Sequence, residues 1–505
     1  MEQKKRGLRI FLSGALSQVV TLLLGIIIPK LLIVSYGSET NGLLSSIKQI
    51  FVYVALLEAG IGTAALQAMY APIATNDHQK ASEIMVATDR YFKRTGRFYA
   101  LAVIALAVLY PVVVKTELSP FTVAAIIILQ GASGVIKYYF QGKLTILLRV
   151  DGRSYVTNNL LTTASVLSHA AQIVLILCGF DIIAVQSAYF VINLLQMIYL
   201  TLYVKKHYQW LDWKAEPDYK ALSQSKFVII HQISGLIFNN TDILLLTYFC
   251  GLKTVSVYSL YSLIISCVSN VIDTLCSSFE FILGQAFNSD RKRFMKLQEV
   301  YETYYLAFSF WAFTVTLVML PSFIGIYTAG VTDANYMDKL LPYLFVAINI
   351  LNYSRRTSSQ IINFSGHFKQ TQWRSVLESA INIVVSFVGV YYFGMYGVLL
   401  GTIAALLYRT NDIIIYANTK ILFRSPWKTY RRWGVNIAVM LICVVGINQI
   451  LPAITGWVQW ILNAVWVSVV CMAAYIGIDS VCDMGSCKEA VSMIGNSSFI
   501  RRLKR

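Results

Sequence analysis

Fourteen times along its length the chain runs predominantly apolar for about the distance needed to cross a bilayer, and little chain is left between the runs. A spanning helix needs about 20 mostly apolar residues. The runs cover about 10–35, 43–70, 98–115, 120–142, 155–179, 182–204, 227–250, 255–286, 303–329, 340–364, 375–393, 396–416, 433–452 and 457–478. Only 13% of the 505 residues are charged and 57% are hydrophobic, against roughly 25% charged in a soluble globular chain. That deficit is too large for one buried core and fits an outer surface that faces hydrocarbon. The pattern predicts an all-α, polytopic transmembrane bundle. The first run is too long for a signal peptide and lacks a small-residue cleavage site, so it reads as a retained first span.

Charge position fixes an expected orientation. With the N-terminus inside and the spans alternating, 33 of the 42 Lys and Arg residues fall on inside segments, and only Lys115, Lys253 and Lys339 fall outside. Cytoplasmic loops carry such an excess. Both termini are therefore expected in the cytosol. The net charge of +17 needs no nucleic-acid partner, because anionic lipid headgroups account for it. Six of the eight cysteines lie in apolar stretches and read as small buried hydrophobes. Cys482 and Cys487 have no neighbouring ligands for a metal.

The segment between the sixth and seventh spans, YVKKHYQWLDWKAEPDYKALSQSK, is basic and aromatic. It reads as a surface linker between an N-terminal six-helix lobe, 1–210, and a C-terminal six-helix lobe, 211–420. Two further spans over 421–480 and a basic cytosolic tail over 481–505 complete the expected organisation. A faint repeat supports the division: FLSGALSQVVTLLLGIIIPKLLIVSYG, ending at Gly37, aligns without gaps on SKFVIIHQISGLIFNNTDILLLTYFCG, ending at Gly251. Six spans per half make this a parallel repeat.

Six basic residues remain inside spans: Lys30, Lys48, Lys137, Arg355, Arg356 and Arg409. Intramembrane charges normally face a protein interior or an aqueous cavity and are functional candidates. Arg binds phosphate oxygens bidentately, more strongly where water is scarce. Arg355, Arg356, Lys48, Arg409 and Lys137 are thus candidates to hold a diphosphate or another anion. Lys30 can instead snorkel to headgroups. The intramembrane acids are Glu58, Asp242, Asp273, Glu280, Glu378 and Asp412. Glu378 can pair with Arg374 one turn away, and Arg409 with Asp412, which is the purely structural alternative. Glu58 and Asp273 lack a local partner; they can meet a Lys or Arg from another helix, or carry a coupling proton. His231, Asn239, Asn240 and Asp242 suit interhelical hydrogen bonds, with a cation site as the alternative.

No G-x-x-x-x-G-K-[ST], H-E-x-x-H or G-x-S-x-G occurs, and no outside loop is long enough for a catalytic domain. No cofactor, metal or enzymatic activity is expected.

The stretch YGSETNGLLSSIKQIFVYVALLEAGIGTAALQAMYAPIATND, Tyr36 to Asp77, resembles the polysaccharide flippase branch of the multidrug/oligosaccharidyl-lipid/polysaccharide (MOP) exporter superfamily. NNTDILLL and LKTVSVYSLY, between Asn239 and Tyr261, look like the matching part of the second half. The resemblance implies two six-helix bundles around a cavity. It also implies movement of undecaprenyl-diphosphate-linked oligosaccharide from the inner to the outer leaflet of a bacterial cell membrane, by alternating access, for capsule or exopolysaccharide assembly. A coupling ion (H+ or Na+), membrane lipids and other polysaccharide-assembly proteins are the implied partners. A multidrug or organic-cation exporter of the same fold, a membrane glycan polymerase and a lipid II flippase remain open.

Overall fold

The computed structural model describes the backbone of residues 2–55 and 61–495, and their side chains except for 2–23, 223–234 and a few single positions. The chain is helical throughout: α1 Glu2–Val54, α2 Ile61–Ala74, α3 His78–Val113, α4 Pro120–Ile136, α5 Gly142–Val150, α6 Ser154–Leu177, α7 Ile182–His207, α8 Lys226–Phe249 and α9 Leu252–Ser289. It continues through α10 Arg291–Tyr327, α11 Leu341–Ser354, α12 Arg356–Ser365, α13 Phe368–Phe393, α14 Met395–Tyr416, α15 Trp427–Ile450, α16 Trp457–Cys482 and α17 Met484–Gly495. Ten of the described helices are long and apolar enough to cross a membrane. The other four expected spans also fall on helix. Two share α1 and α2, divided at Gly37 and with residues 56–60 outside the described chain. One is α8, and one is α11 and α12, broken at Arg355.

The membrane-facing surface is apolar where a soluble protein would be polar. Leu101, Ile104, Val108 and Val112 on α3, and Val384, Phe387, Val388 and Tyr391 on α13, are exposed. Helices satisfy all their backbone polar groups internally, so such a surface is stable in hydrocarbon.

Residues 78–97, expected as a loop, are the first half of α3. Their polar composition hides an amphipathic helix whose buried side carries Ala81, Ile84, Met85 and Phe92. Asp77 caps it, accepting from the Lys80 N–H at 2.9 Å.

By internal contacts the chain forms two compact units, 1–260 with 331–334, and 261–330 with 335–505. In the first, Leu43, Val123, Ile126, Ile127 and Val185 form the centre of one apolar core. Met69, Met85, Leu147 and Leu200 form a second. The linker after α7 lies against this unit: the Tyr208 hydroxyl donates to Asp151 at 2.6 Å, Lys80 pairs with Asp218 at 3.0 Å, and Trp210 stacks on His78. The bonds from Lys80 hold the Asp218 carboxyl below the usual range.

Between the first two spans, Gly37 turns the chain with φ +83° and ψ 164°. Gly251, its partner in the sequence alignment, has φ +83° as well. Asp333 seats the helix that follows Gly37, accepting from the Ser38 N–H at 2.6 Å and the Ser38 hydroxyl at 2.7 Å.

In the second unit α15 and α16 pack on α10. The Tyr475 hydroxyl meets Thr314 at 2.7 Å, and the indoles of Trp311 and Trp460 donate to Ser468 and Met319 carbonyls. A buried charge cluster closes one end: Glu302 binds Arg432 at 2.8 Å and Arg424 at 2.5 Å, and Arg432 reaches Asp483 at 2.6 Å. Buried charges persist only when compensated in this way. The helices α13 and α14 cross at glycines, where a Cβ on Gly397 would stand 2.0 Å from the Gly389 carbonyl oxygen. Small residues permit such close backbone approach in membranes.

Candidate functional site

A polar cavity lies at the junction of α11 and α12 in the second unit. Arg355, which divides the two helices, keeps right-handed helical angles (φ −81°, ψ −13°). The cavity, about 420 Å³, is lined by Arg355, Arg356, Arg409, Glu280, Glu378 and the side-chain amides of Asn352, Gln360 and Asn363. Its charges are paired. Arg355 binds Glu378 at 2.5 Å. The other Glu378 oxygen takes Arg409 at 3.4 Å, and Arg409 binds Asp412 at 2.6 Å. Arg374 also binds Asp412. Arg356 binds Asp273 and Glu280, and Gln360 donates to Glu280. The Tyr353 hydroxyl donates to Asp273 at 3.0 Å.

Four arginines therefore face four carboxylates. The pair Arg409–Glu378 is buried, whereas Arg356 and Asp273 remain 32% and 40% exposed, so one end of the network is open to a ligand. Arg409 and Asp412 meet as their i,i+3 spacing suggests. Arg374 does not pair with Glu378, because both Glu378 oxygens are occupied by other arginines. Arg374, counted as a loop charge in the sequence, belongs to this network.

The candidates in the first unit are not brought together. Asn240 accepts from Gln49, and Tyr53 meets Thr241 at 2.8 Å. Asp242 is buried and accepts from Tyr258 at 2.9 Å. These bonds knit α1, α8 and α9. Lys48 is exposed on α1. Lys137 is exposed at the start of a π-helical segment, Lys137–Gln141, and lines a separate cavity of about 470 Å³. Glu58 and the side chains of His231 and Asn239 lie outside the described residues. No cluster of three or more His, Cys, Asp or Glu suited to a metal occurs among the described residues.

The all-helical bundle is similar in fold to solved membrane transporters. The chain is similar to the lipid II flippase MurJ in an inward closed conformation, at 11% identity and TM-score 0.68, covering 94% of this chain and 99% of that one. It is similar to an inward-facing multidrug resistance MATE transporter of the MOP superfamily, at 16% identity and TM-score 0.64, covering 80% and 94%. It is also similar to a MOP-superfamily transporter from Pyrococcus furiosus described as having a binding pocket of reversed polarity, at 15% identity and TM-score 0.53, covering 82% and 96%. No family model matches the sequence, and no curated protein matches it. The chain is a multi-pass membrane protein whose fold is similar to that of these transporters.

Proposed function

We propose that the chain is a flippase that carries lipid-linked oligosaccharide units, of the undecaprenyl-diphosphate type, from the inner to the outer leaflet of a bacterial membrane by alternating access. The observation that carries the reading is the cavity at Arg355. It lies among membrane-crossing helices, yet is lined by guanidinium groups, carboxylates and amides. Sugar hydroxyls both donate and accept, and such a wall offers them both. An exporter of organic cations would want an excess of acid and aromatic walls. Here the acids are cancelled one for one by arginine.

Both termini lie in the cytosol in this reading, which puts the basic segments on the inner face. With no G-x-x-x-x-G-K-[ST] in the chain, the drive in this reading is an ion gradient, the membrane potential or consumption of product. Asp273 is the carboxylate we assign to ion coupling, because it is the most exposed acid of the network.

The test is made in the native cell. Deletion, and the double variant Arg355→Ala/Arg356→Ala, should trap lipid-linked units on the inner leaflet and remove surface polysaccharide, with the variant present in the membrane at normal amount. Normal surface polymer in the double variant would remove these arginines from the mechanism.

A further inference from the structure

The cavity in the first unit differs from the one at Arg355 in its charge. Two cations line it, Lys137 and Arg149, and no carboxylate does among the described residues. Both are exposed. Neither makes an ion pair or hydrogen bond among the described residues. Asp151, two residues beyond Arg149, is committed to Arg153 at 2.9 Å and to Tyr208, and Asp89 to Lys143 and Lys93. Lys137 stands in the body of a membrane-crossing helix, where an uncompensated cation is costly; Arg149 lies in the last turn of the same helix.

Their shared face is a product of the π segment. Lys137 and Arg149 belong to one continuous helix, Pro120–Val150. Twelve residue steps of about 100° would set them about 120° apart on a regular α-helix. The Gly142 N–H, however, bonds the Lys137 carbonyl five residues back, so one extra residue is absorbed between the two. The remaining offset falls to about 20°. The axial rise between them stays at about 17 Å, so the two charges bracket the cavity lengthwise. The wall opposite comes from α6, with Ser154, Asn158 and Thr157. The Thr157 hydroxyl is buried without a hydrogen-bond partner, a polar atom left for a ligand to satisfy.

We infer that this cavity is an anion site for an extended glycosyl-diphosphate head group, with Lys137 and Arg149 supplying the counter-charge and the α6 hydroxyls and amide meeting the sugar. The inference rests on the flippase reading for its ligand class, and it moves the diphosphate away from Arg355 and Arg356, whose charges are already balanced. Arg149, which sequence position alone counts as a topology charge, becomes a binding residue.

Binding is measured on the full chain in phosphatidylcholine nanodiscs, with a fluorescent polyprenyl diphosphate-linked N-acetylglucosamine as probe. Inorganic pyrophosphate, uncharged polyprenol and phosphatidylglycerol are the competitors. The wild type should bind the probe and lose it to pyrophosphate but not to polyprenol. Lys137→Gln and Arg149→Gln should each weaken binding at least about tenfold, a lost charge-assisted contact. Lys137→Arg and Arg149→Lys should retain most of it, and Lys115→Gln, on a loop outside the cavity, should retain all of it. Undiminished binding by the double Gln variant overturns the site. Displacement by phosphatidylglycerol but not by pyrophosphate overturns it too, making the cavity a seat for bulk lipid headgroups. A wild type that binds the probe through these residues yet moves no lipid-linked sugar would sink the flippase reading and leave the anion site standing.

Discussion

At the scale of single residues, several of the intramembrane charges are structural. Arg409 and Glu378 are both buried, and each serves two partners. Arg409→Ala leaves Glu378 and Asp412 short of counter-charge in a low-dielectric setting, which costs about 3–5 kcal/mol. Thermal unfolding in detergent should show the loss, and Arg409→Met combined with Glu378→Leu should recover part of it. A double variant no better than the single would show that the pair holds more than itself in place. Local spacing made the Arg409–Asp412 contact legible in the sequence. The partners of Arg355 and Arg356 were not, because Glu378, Asp273 and Glu280 come from helices whose rotation a one-dimensional pattern does not fix. Glu378 shows the reason in miniature: the arginine one turn away lost to two more distant ones with better geometry. Arg149 escaped notice because its face is set by a π segment, and nothing in composition announces one.

Among elements, the two segments aligned in the sequence both end on a glycine of positive φ, Gly37 and Gly251. A gapless alignment placed them in register, and both adopt φ +83°. Substitution by alanine costs about 1–3 kcal/mol of backbone strain at these positive-φ positions. At Gly37 a Cβ also meets the Asp333 carboxylate at 3.2 Å, whereas at Gly251 it meets open space. Gly37→Ala should therefore lower the unfolding temperature more than Gly251→Ala, and equal losses would count against the Asp333 seat. The elements that composition misjudged were the long ones. Residues 78–97 carry enough charge to look like a loop, yet a helix can bury one face and solvate the other. The break at Arg355 was equally invisible, since no proline or glycine marks it.

For the whole molecule, fourteen apolar runs were enough to read the architecture, because a bilayer leaves a chain few alternatives. What they did not carry was how the last two helices are fastened. The cluster of Glu302, Arg424, Arg432 and Asp483 does this, binding the end of α16 to α10 and α15. Burial works to raise the Asp483 carboxyl, but its hydrogen bonds to Arg432 and the Arg432 charge outweigh burial and hold it at about 2, against an ordinary value of 3.8. A depressed pKa stabilises the fold above the ordinary value, and the gain is lost as pH falls from about 4 to about 2. The stability difference between wild type and Asp483→Asn should be constant above pH 5 and shrink across that window; a difference independent of pH would mean the carboxylate is not the fastening group.

The transport reading itself is decided in a reconstituted membrane. Purified chain is placed in liposomes loaded with an undecaprenyl-diphosphate-linked oligosaccharide on the inner leaflet, and arrival of sugar on the outer leaflet is followed by lectin binding, with and without an ion gradient. The account predicts protein-dependent arrival well above protein-free liposomes. Movement of an organic-cation dye with no movement of the lipid-linked sugar would contradict it.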